Sequence, residues 1–155
     1  RLDSRYKGKD YIVAGERPDT DISSEGFSAA YVSGLHTWLS EIGVNIKRLY
    51  RSGDNDLGKN WDWYSTQSGW PRFVNVAPHI GRAMRENIDF KVYVACGIYD
   101  LATPCFTATN TMHENGIDPS RVKFTEFEGG HMMYNHQPSF DKFLNEVRDF
   151  VKDKE

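Results

Sequence analysis

Two side chains carry the chemistry that this sequence offers most clearly: Asp100 and His131. A carboxylate that holds one ring nitrogen of an imidazole fixes its tautomer, and leaves the other nitrogen to take up and return a proton near neutral pH. Both residues follow short runs that have strand character. Asp100 comes just after Lys91-Val92-Tyr93-Val94-Ala95-Cys96-Gly97, a β-branched and aromatic run that suits a strand buried on both faces. His131 lies in Glu128-Gly129-Gly130-His131-Met132-Met133-Tyr134, at the exit of a second run from Val122 to Phe127. Its paired glycines permit a backbone path closed to other residues.

The segment between the two runs must bring their ends together. Thr103 can cap a helix that has Pro104 at its first position, runs to about His113 or Glu114 and stops at Asn115-Gly116. Strand, crossover helix and strand normally make a parallel pair, and parallel sheets collect reactive groups beyond their carboxyl ends. Asp100 and His131 are therefore expected to be neighbours. Acid after one strand and histidine after the next is the closing order of the Ser, Asp, His triad of α/β-hydrolases. A lone Asp at a strand end is commonly a cap or turn former, and a lone His in a Gly-rich loop is commonly just exposed. Their order and spacing together carry the catalytic reading.

Gly97-Ile98-Tyr99-Asp100-Leu101-Ala102-Thr103-Pro104 and Gly130-His131-Met132-Met133-Tyr134 resemble the acid and histidine motifs of the serine carboxypeptidase family, in particular its bacterial branch. Arg1-Leu2-Asp3-Ser4-Arg5-Tyr6 resembles a segment that precedes them there. The resemblance implies an α/β fold: the C-terminal part of an α/β-hydrolase sheet with flanking helices, residues 73–155, behind a cap-like region with one amphipathic helix, residues 1–72. It also implies release of the last residue of a peptide with a free C-terminus, through an acyl-enzyme, with Asp100 and His131 catalytic. Thr103 and Met132 neighbour this pair, and the resemblance places the residue after the histidine at the substrate pocket; packing is the alternative role for both. No cofactor is implied, and export to a periplasm or medium is. An acyltransferase of the same fold and a non-catalytic binding fragment are the other readings.

The nucleophile is the missing piece. A nucleophile elbow needs glycines two before and two after the serine, and no serine here meets that pattern. Ser28 comes closest, in Gly26-Phe27-Ser28-Ala29-Ala30, but it lies inside a helical pattern. The resembled family carries its serine in a Gly-Glu-Ser-Tyr-Gly motif upstream of the segments matched here. The chain is accordingly expected to be a C-terminal portion whose serine comes from an N-terminal half or a second chain, with homodimerisation as the fallback.

The rest of the sequence sets bounds. At 155 residues it can form one domain with a core. A net charge of -3 gives no basic footprint for nucleic acid, and no run of about 18 apolar residues could cross a membrane. His36, His79, His113 and His136 lack metal-ligand spacing. Two cysteines cannot make a disulfide framework, and Cys96, in an apolar strand, reads as a buried free thiol. Residues 1–24 read as irregular surface, with a short extended piece at Tyr11 to Ala14. A helix is expected from Ser24 to Ile42, capped by Ser23 or Ser24 and stopped by Gly43, and a strand from Val44 to Tyr50. Trp61, Trp63, Tyr64 and Trp70 either line a pocket or pin a long loop to the core, and pinning is favoured. Asn75 caps a helix ending near Asn87, and a helix after Pro138 docks Phe140, Phe143, Leu144, Val147, Phe150 and Val151.

Overall fold

The computed structural model describes residues 1–9, 15–16, 20–48, 50–52, 56–62 and 75–152. Its centre is a parallel pair of strands, β1 (Val92–Gly97) and β2 (Val122–Phe127), in register from Val92 opposite Val122 to Gly97 opposite Phe127. Successive side chains alternate between the faces of the sheet. Tyr93 and Ala95 thus share one face with Lys123, Thr125 and Phe127, while Val92, Val94 and Cys96 share the other with Val122 and Phe124.

Helix α5 (Gln137–Lys152) covers the first face. Its Phe143 and Phe150 meet the Tyr93 ring at centroid distances of 6.4 and 5.5 Å, and Phe143 meets Phe127 edge-on at 5.9 Å. Glu146 of the same helix pairs with Lys123 at 2.7 Å, so the charged end of β2 is matched where the apolar contact stops. On the other face, α3 (Ala77–Glu86) contributes Ala77, Ile80 and Met84, and α4 (Cys105–Met112) contributes Met112, to a cluster with Ile117, Val92 and Val122. The sheet is therefore sandwiched between α5 and the α3–α4 layer, a mixed α/β arrangement.

The local chemistry explains where these elements stop. Asn75 Oδ1 accepts from the Ala77 N–H at 3.1 Å, and Arg121 Nη1 donates to the carbonyls of Met84, Asn87 and Ile88 at 3.0 to 3.1 Å, closing the exposed end of α3. Asn115 and Gly116 take positive φ and end the run of α4. α1 (Ile22–Glu41) begins at Asp21, whose carboxylate accepts from Ser23 N, rather than at Ser23 or Ser24. It ends as expected at Gly43, with Gly43 N–H on the Ser40 carbonyl and Val44 N–H on the Leu39 carbonyl. A short helix, α2, spans Leu57–Asn60.

Several expectations need correction. Cys96 and Cys105 form a disulfide, with Cα atoms 5.5 Å apart, joining the end of β1 to the start of α4. Residues nine apart in sequence meet because the chain doubles back through the Asp100 turn, a geometry that strand propensity alone does not reveal. α4 starts at Cys105, since Pro104 remains extended at φ -58° and ψ 142°, and Thr103 does not cap it. Residues 92–95 of β1 are half-buried and only Cys96 and Gly97 are buried, so the run is not covered on both faces along its length. The described residues between Val44 and Tyr50 form no strand. Trp61 is 57% exposed; Tyr11 to Ala14, Trp63, Tyr64 and Trp70 lie outside the described residues.

Replacing both cysteines by serine should lower unfolding stability by about 2 to 3 kcal/mol, the value expected for a closed loop this short. Chemical denaturation measures it, and alkylation of the unfolded parent should modify neither cysteine before reduction and both after it.

Candidate active site

Asp100 and His131 meet at the carboxyl ends of the strands, with His131 Nδ1 2.8 Å from Asp100 Oδ2. Asp100 is 4% exposed and sits in a turn of its own making. Its Oδ1 accepts from the N–H groups of Ala102 at 2.7 Å and Thr103 at 3.0 Å, the pattern by which Asp bends the chain after itself. Oδ2 accepts from the Thr103 hydroxyl at 2.7 Å, and that hydroxyl lies 3.1 Å from His131 Nδ1.

Burial opposes ionisation of Asp100, but the hydrogen bonds from the Thr103 hydroxyl and N–H, from His131 and from Ala102 outweigh it and hold the carboxyl below its ordinary value of 3.8. An ionised Asp100 accepts, so Nδ1 of His131 is the donor to it, and in a neutral ring the lone pair is then on Nε2. All hydrogen bonds of this ring among the described residues are at Nδ1, and the side chain is 45% exposed. The site therefore pairs a buried carboxylate with a half-exposed imidazole.

Backbone contacts align the two turns. Beyond the last strand pairs, Ile98 N–H donates to the Phe127 carbonyl at 3.0 Å and Tyr99 N–H to the Gly129 carbonyl at 2.9 Å. Gly97 lies against the Gly130 carbonyl so closely that a side chain there would strike it. From the helix side, the Ser139 hydroxyl donates to the Glu128 carbonyl at 2.6 Å, and His136 Nδ1 is 2.8 Å from that hydroxyl.

The first residues of the chain are irregular, as expected, and exposed beyond Asp3, yet Arg1 to Ser4 close over both turns. Arg1 and Leu2 present carbonyls to the N–H groups of Leu101 at 3.0 Å and His131 at 2.6 Å, and Ser4 N–H donates to the Tyr99 carbonyl at 2.9 Å. Asp3, 7% exposed, is buried there. Ser23 and Asp21 tie this segment to α1, through Asp3 N–H on Ser23 Oγ at 3.2 Å and Leu2 N–H on Asp21 Oδ2 at 2.9 Å.

Thr103 thus belongs to the hydrogen-bonded cluster, as a partner of the acid rather than as a helix cap. The Asp-x-x-Thr spacing is the signal that could have revealed it. Met132 is half-buried at the start of the 3-10 turn Met133–Asn135 and stands outside that cluster. Ser28 lies in α1, its hydroxyl donating to the Ser24 carbonyl at 2.9 Å. No group of three or more potential metal-ligating side chains occurs among the described residues, and no described helix is long and apolar enough to cross a membrane.

No protein-family model matches the chain, and no curated protein does.

The lowered carboxyl of Asp100 sets a pH dependence. Its stabilising contribution is present above 3.8 and is lost as pH falls through the lower folded value, because below 3.8 the unfolded chain binds the proton more tightly. Unfolding free energy measured between about pH 2 and pH 6 should fall on the acid side, and Asp100→Asn should flatten that fall.

Proposed function

We propose that this chain supplies the acid and base of a serine-hydrolase triad, and that with a nucleophilic serine from outside this sequence it releases C-terminal residues from peptides, as serine carboxypeptidases do. The observation that carries the reading is the 2.8 Å contact between a buried, ionised Asp100 and His131 Nδ1, made at the carboxyl ends of two paired parallel strands. In this reading Nε2 of His131 takes the serine proton as the hydroxyl attacks the scissile carbonyl, and then returns it to the leaving amine. Asp100 holds the tautomer and stabilises the imidazolium. Water then repeats the cycle and releases the acyl group; an alcohol in place of water would make the same site an acyltransferase. Residues 73–155 are the end of an α/β-hydrolase sheet, and residues 1–72 a cap-like region.

The small core supports a complementary half. Phe127 and Met84 are the only large apolar side chains under 2% exposed among the described residues, while Ile88, Phe106 and Val151 are 79, 82 and 72% exposed. Among the described residues the sheet has two strands and both edges are unpaired, and a parallel sheet is ordinarily covered and wider. A half carrying the serine would extend this sheet and bury well over the ~1,600 Å² of a standard interface. A groove of about 500 Å³ along α1, lined by Phe27, Tyr31, Leu35 and Trp38, reaches Asn135 on the turn after His131 and offers room for an apolar substrate residue.

The test uses a serine-reactive fluorophosphonate and a peptide substrate. The chain alone should stay unlabelled. Combined with a half that carries the serine, it should be labelled at a serine of Gly-x-Ser-x-Gly and cleave peptides from the C-terminus, with Asp100→Asn lowering kcat about 10⁴-fold and His131→Ala at least as much. Labelling at Ser28, or full activity of either variant, would overturn the assignment.

A further inference from the structure

The Asp3–Arg5 pair reaches both catalytic-candidate turns at once. Arg5 grips the buried Asp3 carboxylate through Nε at 3.0 Å and Nη2 at 2.8 Å, and the Arg5 backbone N–H adds a third bond at 3.0 Å. Forked Arg–carboxylate pairs fix direction as well as distance. The rest of the guanidinium is shared between the two turns. Its carbon stands 4.6 Å over the ring of Tyr99, the residue before Asp100, and Nη1 is 3.4 Å from Glu128 Oε1, in the loop that leads to His131.

Asp3 itself is pressed against the histidine turn. A side chain at Gly130 would strike the Leu2 carbonyl and the Cβ of Asp3. The side-chain bond from Arg5 is the main cause of a lowered Asp3 pKa, burial opposes it, and the Gly130 N–H adds to it. The carbonyl of Leu2, the residue before Asp3, receives the His131 N–H at 2.6 Å. The orientation of the Leu2 carbonyl, and with it the backbone position of His131, therefore depends on how Asp3 is held.

We propose that Asp3 and Arg5 are positioning residues, a clamp that spans the Asp100 and His131 turns and keeps His131 Nδ1 on the Asp100 carboxylate. Neither touches the reacting atoms. Loss of the clamp leaves both partners present but frees the His131 turn to shift, and the Nδ1–H tautomer loses its preference. The catalytic consequence rests on the triad reading; the positioning does not, because tautomer and pairing exist without substrate.

The test reads the imidazole directly. In the chain labelled with ¹⁵N-histidine, two-bond ¹H–¹⁵N correlation spectra should show His131 as the Nδ1–H tautomer, and His131→Gln assigns its signals. Arg5→Ala and Asp3→Asn should each lower the ratio of Nδ1–H to Nε2–H tautomer about tenfold, the effect of losing roughly one net hydrogen bond. Arg5→Lys, which keeps the cation and loses the fork, should fall between them and the parent. Should Arg5→Ala fail to fold, Arg5→Lys carries the same test. Arg121→Ala removes the arginine that closes α3, and should lower thermal stability while leaving the His131 ratio unchanged. Folded Arg5 and Asp3 variants with the parent ratio would overturn the clamp, as would an equal shift in Arg121→Ala. Peptidase activity plays no part in this measurement, so a failure of the triad reading and a failure of the clamp are separately visible.

Discussion

The arrangement depends on the hydrogen-bonded ladder continuing past the end of the sheet. β1 and β2 pair through Gly97 and Phe127, but Asp100 and His131 lie beyond those residues. Two loops leaving a strand pair would ordinarily diverge. They stay together because the N–H groups of Ile98 and Tyr99 find the carbonyls of Phe127 and Gly129, because glycine at 97 lets the two backbones touch, and because glycine at 130 lets Leu2 and Asp3 close on the second loop. An alanine at either glycine would press its Cβ into backbone that cannot move aside, which makes these the positions where one methyl group would do the most harm to the pairing. The disulfide from Cys96 to Cys105 acts on the same stretch, closing the base of the loop that carries Asp100.

What was legible in the sequence is what depends on local pattern. The second strand occupies Val122–Phe127 as expected, the first begins one residue later, and the helix at the C-terminus begins at Gln137, before Pro138, with Phe143 and Phe150 on the sheet but Val151 72% exposed. The proximity of Asp100 and His131 followed from strand order and parallel pairing. The features missed were those that depend on contacts distant in sequence or on competing side-chain bonds. The disulfide required knowing that the turn brings β1 and α4 together. Thr before Pro commonly caps a helix, yet the Thr103 hydroxyl donates to the buried Asp100 carboxylate instead, and α4 starts at Cys105. Asp3 lies in a polar run that gives no periodic signal, and it is buried because Arg5 and Gly130 satisfy it.

The expected strand at Val44 to Tyr50 failed for a related reason. Val44, Ile46 and Tyr50 are 41, 47 and 49% exposed, so the residues that gave the run its β character have no sheet edge or core to pack on among the described residues. β propensity is mostly a statement about fitting a pleated, half-buried surface, and without that surface it exerts little pull. The same holds for α1, where the sequence period forms a helix but Tyr31 and Trp38 remain 43 and 55% exposed. Local periodicity specified the helix; it did not specify what would cover it.

The two members of the candidate pair are built to different standards, and the difference bears on how such a site stays ready. Four donors converge on Asp100, two of them backbone N–H groups within its own turn, so its carboxylate is fixed by bonds that do not require His131. His131 has fewer anchors: its ring is held at Nδ1 and its backbone by the Leu2 carbonyl, while the rest of the side chain is open. An acid that can hold its charge alone provides a fixed reference, and a base tethered at one nitrogen can adjust toward whatever proton donor is brought to the other. The energetic cost of burying Asp100 falls on its own turn, where three of the four bonds are local in sequence and form as the chain folds. Only the approach of His131 has to be secured over long range, and the backbone contacts nearest to it lie at Gly97, Gly129, Gly130 and Leu2, with Asp3 and Arg5 behind them. That makes the alignment of the pair a property of main-chain packing, with the identity of the two side chains supplying the chemistry and the glycines and the N-terminal segment supplying the distance.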